Sequence, residues 1–163
     1  MLRLSLLRLA KSSWEHDNLT DHERPLKERG LHDTRLMAAE LKKRSLLPDA
    51  IACSTSRRTR ETIRIFLDET GLSDSIVVYD RALYHAWATG ILEYVNNHGN
   101  GSHLMIVGHN PGIHEFVEHM SDSRIEKFPT CAFAMLTIDT DKWSNVKYDN
   151  AELTEYLYPS MFR

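Results

Sequence analysis

Leu104-Met105-Ile106-Val107-Gly108-His109-Asn110-Pro111-Gly112 is the stretch on which the fold turns. Its first part is an unbroken apolar run, too short for a buried helix and without the polar alternation of a half-exposed strand. Such a run suits a strand covered on both faces, as in a parallel sheet flanked by helices. Gly108 to Gly112 then makes a tight polar connection, with Pro111 near the first turn of a helix that Ile113 to Met120 continues. Strand, short loop and helix form the repeating unit of an α/β protein.

The same alternation extends in both directions. Residues 2–8 are read as a strand and 9–25 as a polar loop. Residues 27–45 are read as a helix with Leu31, Thr34, Ala38, Leu41 and Ser45 close to one face, and Pro48 follows it as a stop. A second strand covers 50–53. The helix over 56–70 points Ile63, Phe66, Leu67 and Thr70 inward and is closed by Gly71. A strand at 76–79, a helix at 88–97 and a strand at 132–138 complete the regular pattern. Two weaker strand-like pieces follow at 145–148 and 153–157. Strands alternating with helices predict an α/β protein, a three-layer α/β/α sandwich around a mostly parallel sheet, in a single domain over 1–163.

Composition narrows the function. The chain has 163 residues, and its 20 basic and 23 acidic residues give a net charge of -3, so no global field recruits nucleic acid or an anionic membrane. No apolar run approaches the roughly 20 residues of a membrane helix, and the expected location is the cytoplasm. The first 14 residues lack acids and carry Arg3, Arg8 and Lys11, loosely as in a mitochondrial presequence. The alternation of Leu2, Leu4 and Leu6 with Arg3 and Ser5 assigns them to a strand instead. Cys53 and Cys131 adjoin apolar runs, as buried reduced thiols do, and are too few for a disulfide framework.

In open parallel sheets ligands bind beyond the carboxyl ends of the strands. Arg8 ends the first strand, Ser54-Thr55-Ser56-Arg57-Arg58 follows the second, and the Gly108–Gly112 loop follows the strand at 104–107. Three polar constellations at three strand ends point to one place. Ser54 or Ser56 is suited to cap the next helix, whose N-terminal N–H groups attract an anion, and an arginine one turn in adds a forked contact. Spacing alone does not separate Arg57 from Arg58, although Arg57 can pair with Glu61, and Arg60 and Arg64 suit a solvated face. His109 is placed to donate to a phosphate oxygen, in its imidazolium form if it is to add charge. Arg24-Pro25-Leu26, after a loop containing Asp17, Asp21 and His22, puts Arg24 at the rim. Trp14, Trp87 and Trp143 are read as packing and rim residues. His109, His114 and His119 do not make a metal site, because His114-Glu115 belongs to an HExxxH run and not HExxH.

Taken in order, these pieces resemble the SixA-type phosphohistidine phosphatases of the histidine phosphatase, or phosphoglycerate mutase-like, superfamily. The matching segments are Arg8-Leu9-Ala10-Lys11-Ser12-Ser13-Trp14, Arg24-Pro25-Leu26 with Arg29-Gly30, and Ser54 through Thr62. Leu83-Tyr84-His85-Ala86, Val107 through Gly112, and Pro129-Thr130 follow. The resemblance implies a phosphate pocket of Arg8, Arg58 and His109 with Ser54, singles out Arg58 over Arg57, and needs no cofactor or metal. It also implies a nucleophilic histidine where this chain has Leu9. In the family that histidine is transiently phosphorylated and then freed by water. No general acid is evident: Asp80 is near the expected place, but Ala82 offers no carboxylate.

Two functions follow as expectations. One is a phosphohistidine or phosphoprotein phosphatase impaired by Leu9. The other is an inactive pseudophosphatase that binds phosphate or a phosphorylated side chain. The expected partners are a phosphorylated protein or a small phosphate ester. Residues 71–107 leave little room for a roofing subdomain, and an open pocket favours phosphate carried on a protein surface.

Overall fold

The computed structural model describes residues 1–15 and 18–163; Asp17 lies outside the described residues. Its centre is a six-stranded sheet of β1 (Leu2–Arg8), β2 (Ala50–Cys53), β3 (Val77–Tyr79), β4 (His103–Gly108), β5 (Phe133–Ile138) and β6 (Ala151–Leu157), in the order β3-β2-β4-β1-β5-β6. The first four strands along that order are parallel, β5 runs antiparallel to β1, and β6 antiparallel to β5.

Four helices cover the two faces: α1 (Glu28–Lys43), α2 (Arg57–Thr70), α3 (Ala88–His98) and α4 (Gly112–Ser121). The period-2 alternation of β4 explains how both layers form. Leu104 and Ile106 join the core containing Ile91, Val95, Phe116 and Val117 of α3 and α4. Met105 and Val107 join the opposite core with Met37 and Leu41 of α1 and Ile63 and Phe66 of α2. Every residue of β4 is buried, as its unbroken apolar run requires.

Local expectations are met unevenly. Gly71 closes α2 in the left-handed conformation at φ 78°, its N–H donating to Leu67 O. The buried face of α1 is set by Gly30, Asp33, Thr34, Met37, Ala38 and Leu41, while Leu31 is half-buried and Ser45 is exposed beyond the helix end. That face also takes in Asp33, whose two carboxylate oxygens accept from the Arg163 guanidinium at 3.1 and 3.2 Å. The strand expected at 145–148 does not form. Trp143–Asn145 is a short 3-10 helix, pinned by Asn96, whose side chain donates to Trp143 O and Val146 O.

The register sets the strand ends level. Arg8 pairs with Gly108 across β1 and β4, and Cys53 with Val107 across β2 and β4. The residues that follow, Leu9, Ser54 and His109, therefore emerge side by side at the carboxyl ends of these three strands.

Candidate functional site

A cavity of about 320 Å³ opens at this end of the sheet, and Arg8, Leu9, Arg24, Arg58 and His109 all line it. Its floor comes from the segment after β1. Leu9 N–H donates to Gly108 O at 3.0 Å, and Cys131 N–H returns to Arg8 O and Leu9 O, which ties the start of the turn to β4 and to the segment before β5. The loop beyond is strapped to the Arg24-Pro25-Leu26 segment, with Ser13 N–H donating to Pro25 O and Lys27 N–H to Lys11 O. Close approach of α1 to this loop requires a glycine: a Cβ on Gly30 falls 2.4 Å from Lys11 O.

The cations of the cavity differ in how they are neutralised. Arg8 donates to Phe128 O at 2.8 Å, burial pulls its pKa down, and among the described residues no carboxylate pairs with it. Arg58 is buried at 3% exposure and donates to Asp21 O and, at 3.1 Å, to Asp21 Oδ2. Arg24 sits on the inner wall and not at the rim. It is 7% exposed, clamped by Asp21 Oδ1 and Ser12 Oγ, and its guanidinium lies 3.4 Å above the Trp14 ring. The carboxylate on one side and the aromatic face on the other explain why it turns inward. Trp14 and Trp87 are exposed, whereas Trp143 is buried, with its indole N–H on Gly101 O.

Asp21 ties the walls together, and sequence reasoning gave it no role. Its two oxygens accept from Arg24, Arg58, the Tyr84 hydroxyl at 2.6 Å and His85 Nε2 at 2.8 Å. Although desolvation opposes its charge, these donors together hold its carboxyl far below the usual carboxylate range. Its only sequence signal was an acid within a polar loop. The Tyr84-His85 pair after β3 was visible as a motif but carried no chemistry until Asp21 was seen against it.

His109 is buried at 5% exposure, and desolvation, with Arg58 and His85 nearby, lowers its pKa to about 3. Burial thus disfavours the imidazolium form in which it would add charge as a donor. Arg58 can only donate, so Nδ1, 3.4 Å away, accepts, and Nε2 carries the proton toward Ser54 Oγ at 2.7 Å. Ser54 lies beneath the cavity wall, fully buried, and holds His109 instead of facing an anion. Ser56 is the cap of α2: its Oγ accepts the Thr59 N–H. The first turn of α2 thus contributes the Arg58 side chain to the cavity.

The other arginines of α2 point away. Arg57 pairs with Glu61 at 3.6 Å, Arg60 with Glu23 at 3.9 Å, and Arg64 is exposed. His114 Nε2 donates to Ile125 O, and His119 stacks on Tyr148. Among the described residues no three His, Cys, Asp or Glu side chains are grouped to hold a metal ion. Nor is any described helix long and apolar enough to cross a membrane.

Residues 4–84 match the model of the histidine phosphatase superfamily (branch 1). An uncharacterised protein of Mycobacterium tuberculosis is 32% identical over 164 residues, spanning 94% of this chain and 99% of the relative. An uncharacterised chloroplastic protein of Arabidopsis thaliana is 33% identical over 150 residues, 86% of this chain and 68% of its own. This chain belongs to the histidine phosphatase superfamily. Within it the likeness is SixA-type. A crystal structure from Agrobacterium tumefaciens described as the phosphohistidine phosphatase SixA superposes with TM-score 0.83 at 27% identity, over 97% of this chain and 98% of that one. Its counterpart from Nakamurella gives TM-score 0.81 at 26% identity, over 97% and 96%. The mixed six-stranded sheet with four helices is the phosphoglycerate mutase-like α/β fold. The superfamily and the SixA likeness support a function of the phosphatase type.

Proposed function

We propose that this chain holds a phosphorylated group, either phosphohistidine on a protein or a small phosphate ester, between Arg8, Arg58 and His109, and that Leu9 impairs its hydrolysis. The observation that carries this reading is the position of Leu9. It is 7% exposed and lines the same cavity as the two arginines and the histidine, yet its side chain has no lone pair to offer phosphorus. The guanidinium groups provide the planar donors that phosphate oxygens accept. Covalent catalysis through residue nine is closed to this chain, and any turnover must come from water attacking a phosphoryl group held by the remaining donors.

A pseudophosphatase that binds without hydrolysing is the second reading, and one observation favours it. Arg8, Arg24 and Arg58 keep their hydrogen bonds without any contribution from the side chain of residue nine. The open mouth beside exposed Trp14 suits a phosphate carried on another protein. The buried free thiols of Cys53 and Cys131 suit a reducing compartment such as the cytoplasm.

Leu9→His tests the reading. With an aryl phosphate or a phosphohistidine peptide, the substituted protein gains at least about a hundredfold in rate over the parent, a small part of the barrier a nucleophile can remove. No gain, in a protein that folds and binds phosphate, means that Leu9 does not stand at the attacking position.

A further inference from the structure

One wall of the cavity is not used by phosphate binding as just described. Tyr84 and His85, which follow β3, both bond a single atom, Asp21 Oδ2. The His85 side chain is half exposed, lines the cavity, and its ring lies 4.7 Å from the His109 ring. Its backbone is in the left-handed region at φ 54°, a conformation that residues with a Cβ adopt seldom. Asp21 and the His109 ring hold the imidazole from two sides. With Nε2–H donated to the carboxylate, the ring is fixed in orientation and Nδ1 is the nitrogen that can take up and release a further proton.

The other polar groups at the cavity are less able to move a proton. Both His109 nitrogens are engaged, by Ser54 and Arg58, and the Tyr84 hydroxyl is committed to Asp21. Lys11 also lines the cavity, but among the described residues no hydrogen bond orients its ammonium.

We propose that His85 gives a proton to the group that carries the phosphoryl and later recovers one from water, with Asp21 as its positioning residue. This rests on the reading that Arg8 and Arg58 hold the phosphoryl. In the Leu9→His protein the introduced imidazole bonds to phosphorus as the P–O bond of the substrate breaks. The electron pair stays on the departing oxygen, which takes the Nδ1 proton of doubly protonated His85 and leaves the ring neutral, its Nε2–H still on Asp21. In the second half a water oxygen bonds to phosphorus and the P–N bond breaks, its pair returning to the introduced imidazole. The proton released by that water restores His85. A phosphoramidate substrate follows the same course with nitrogen as the departing atom.

Leaving-group dependence tests the step. Leu9→His protein with and without His85→Asn is assayed on 4-nitrophenyl phosphate, whose product leaves readily as the anion, and on phenyl phosphate, whose product needs the proton. His85→Asn lowers kcat on phenyl phosphate at least about tenfold, modest for general acid catalysis, and changes kcat on 4-nitrophenyl phosphate by less than about threefold. Asp21→Asn gives the same split with a raised KM, because it also releases Arg58. Equal losses on both substrates, or none, overturn the assignment while leaving the phosphate reading intact. If Leu9→His turns over neither substrate, the parent decides by 15N NMR of its histidine rings. Saturating phenyl phosphate shifts the His85 Nδ1 resonance together with those of His109. Movement at His109 alone overturns the role of His85, and movement at neither overturns this inference together with the pocket.

Discussion

His109 Nε2 lies 2.7 Å from Ser54 Oγ, both residues buried at the carboxyl end of the sheet, where desolvation, with Arg58 and His85 nearby, disfavours the imidazolium form. Its pKa of about 3 lies below the ordinary histidine value of 6.5, so between those values the unfolded chain binds a proton that the folded chain does not. His103, hydrogen-bonded to Ser5 and lowered to about 4, acts in the same direction. Both contributions are fully present above pH 6.5 and are lost as the pH falls through that window. Asp21, whose carboxyl is held low, contributes stability above the ordinary carboxylate range and loses it only in stronger acid. Urea melts at pH 7 and pH 4.5 are expected to differ by a few kcal/mol, an order-of-magnitude figure from about 1.4 kcal/mol per pH unit per group. Replacing His103 by Gln reduces the difference; an unchanged difference means that His103 is not held neutral.

Arg58 and Arg64 lie on one helix and have opposite fates, which makes them a matched pair. Arg58 is buried against Asp21 and His109, and Arg64 is exposed. Arg58→Ala weakens phosphate binding by about 1.5–3 kcal/mol, the size of a charge-assisted contact. Arg64→Ala leaves it within about 0.5 kcal/mol. Calorimetric titration with phosphate checks both, and equal affinities for parent and Arg58→Ala place the anion elsewhere.

The fold and the convergence of strand ends were legible because they depend on periodicity, which survives in a bare sequence. The apolar run at 104–107 announced a strand covered on both faces, and Gly71 announced a helix end. The errors arose where a distant partner decides the local structure. Arg163 meets Asp33 on the buried face of α1, and Asn96 holds the 3-10 turn at Trp143 where a strand was expected nearby. In the site, Arg8, Arg58 and His109 were readable from motif order. Asp21 was not, because its importance comes from donors brought to it from Arg24, Arg58 and the segment after β3. The lowered pKa of His109 was likewise not legible, since burial and a neighbouring guanidinium leave no trace in the sequence around it.

Chelation provides a direct contrast with a metal-dependent hydrolase. His114 is turned to Ile125 O and Glu118, and His119 to the Tyr148 ring, so these side chains do not converge. EDTA is expected to leave the thermal midpoint and phosphate affinity unchanged. Stoichiometric zinc whose removal abolishes phosphate binding contradicts this.

Gly30 tests whether the loop that frames the cavity is held from behind. A Cβ there meets Lys11 O at 2.4 Å and Lys11 N at 3.1 Å, both backbone atoms that cannot rotate away. Gly30→Ala therefore pushes the segment carrying Leu9 to Ser12 off α1, destabilising the protein by about 1–3 kcal/mol, as overpacking does. Phosphate affinity falls as well, because Ser12 and Arg24 are displaced together. Normal stability with normal affinity means that the loop accommodates the methyl group.

Leu9 serves stability and forbids chemistry at the same position, and two substitutions separate these effects. Its side chain is 7% exposed and packs at the carboxyl end of β1, beneath the cavity. Leu9→Ala removes buried methyl groups and lowers stability by about 2–5 kcal/mol, toward the lower end because the cavity is open to solvent. It supplies no nucleophile, so hydrolysis of an aryl phosphate stays at the parent rate. The smaller floor lets water approach phosphorus more closely, but water there lacks a base aligned behind it. Leu9→His is expected to differ on both counts, keeping most of the packing volume and gaining the rate. Parallel measurement of urea stability and phosphate release in the three proteins decides it. If Leu9→Ala gains as much activity as Leu9→His, relief of steric blockage and not an added nucleophile explains the gain.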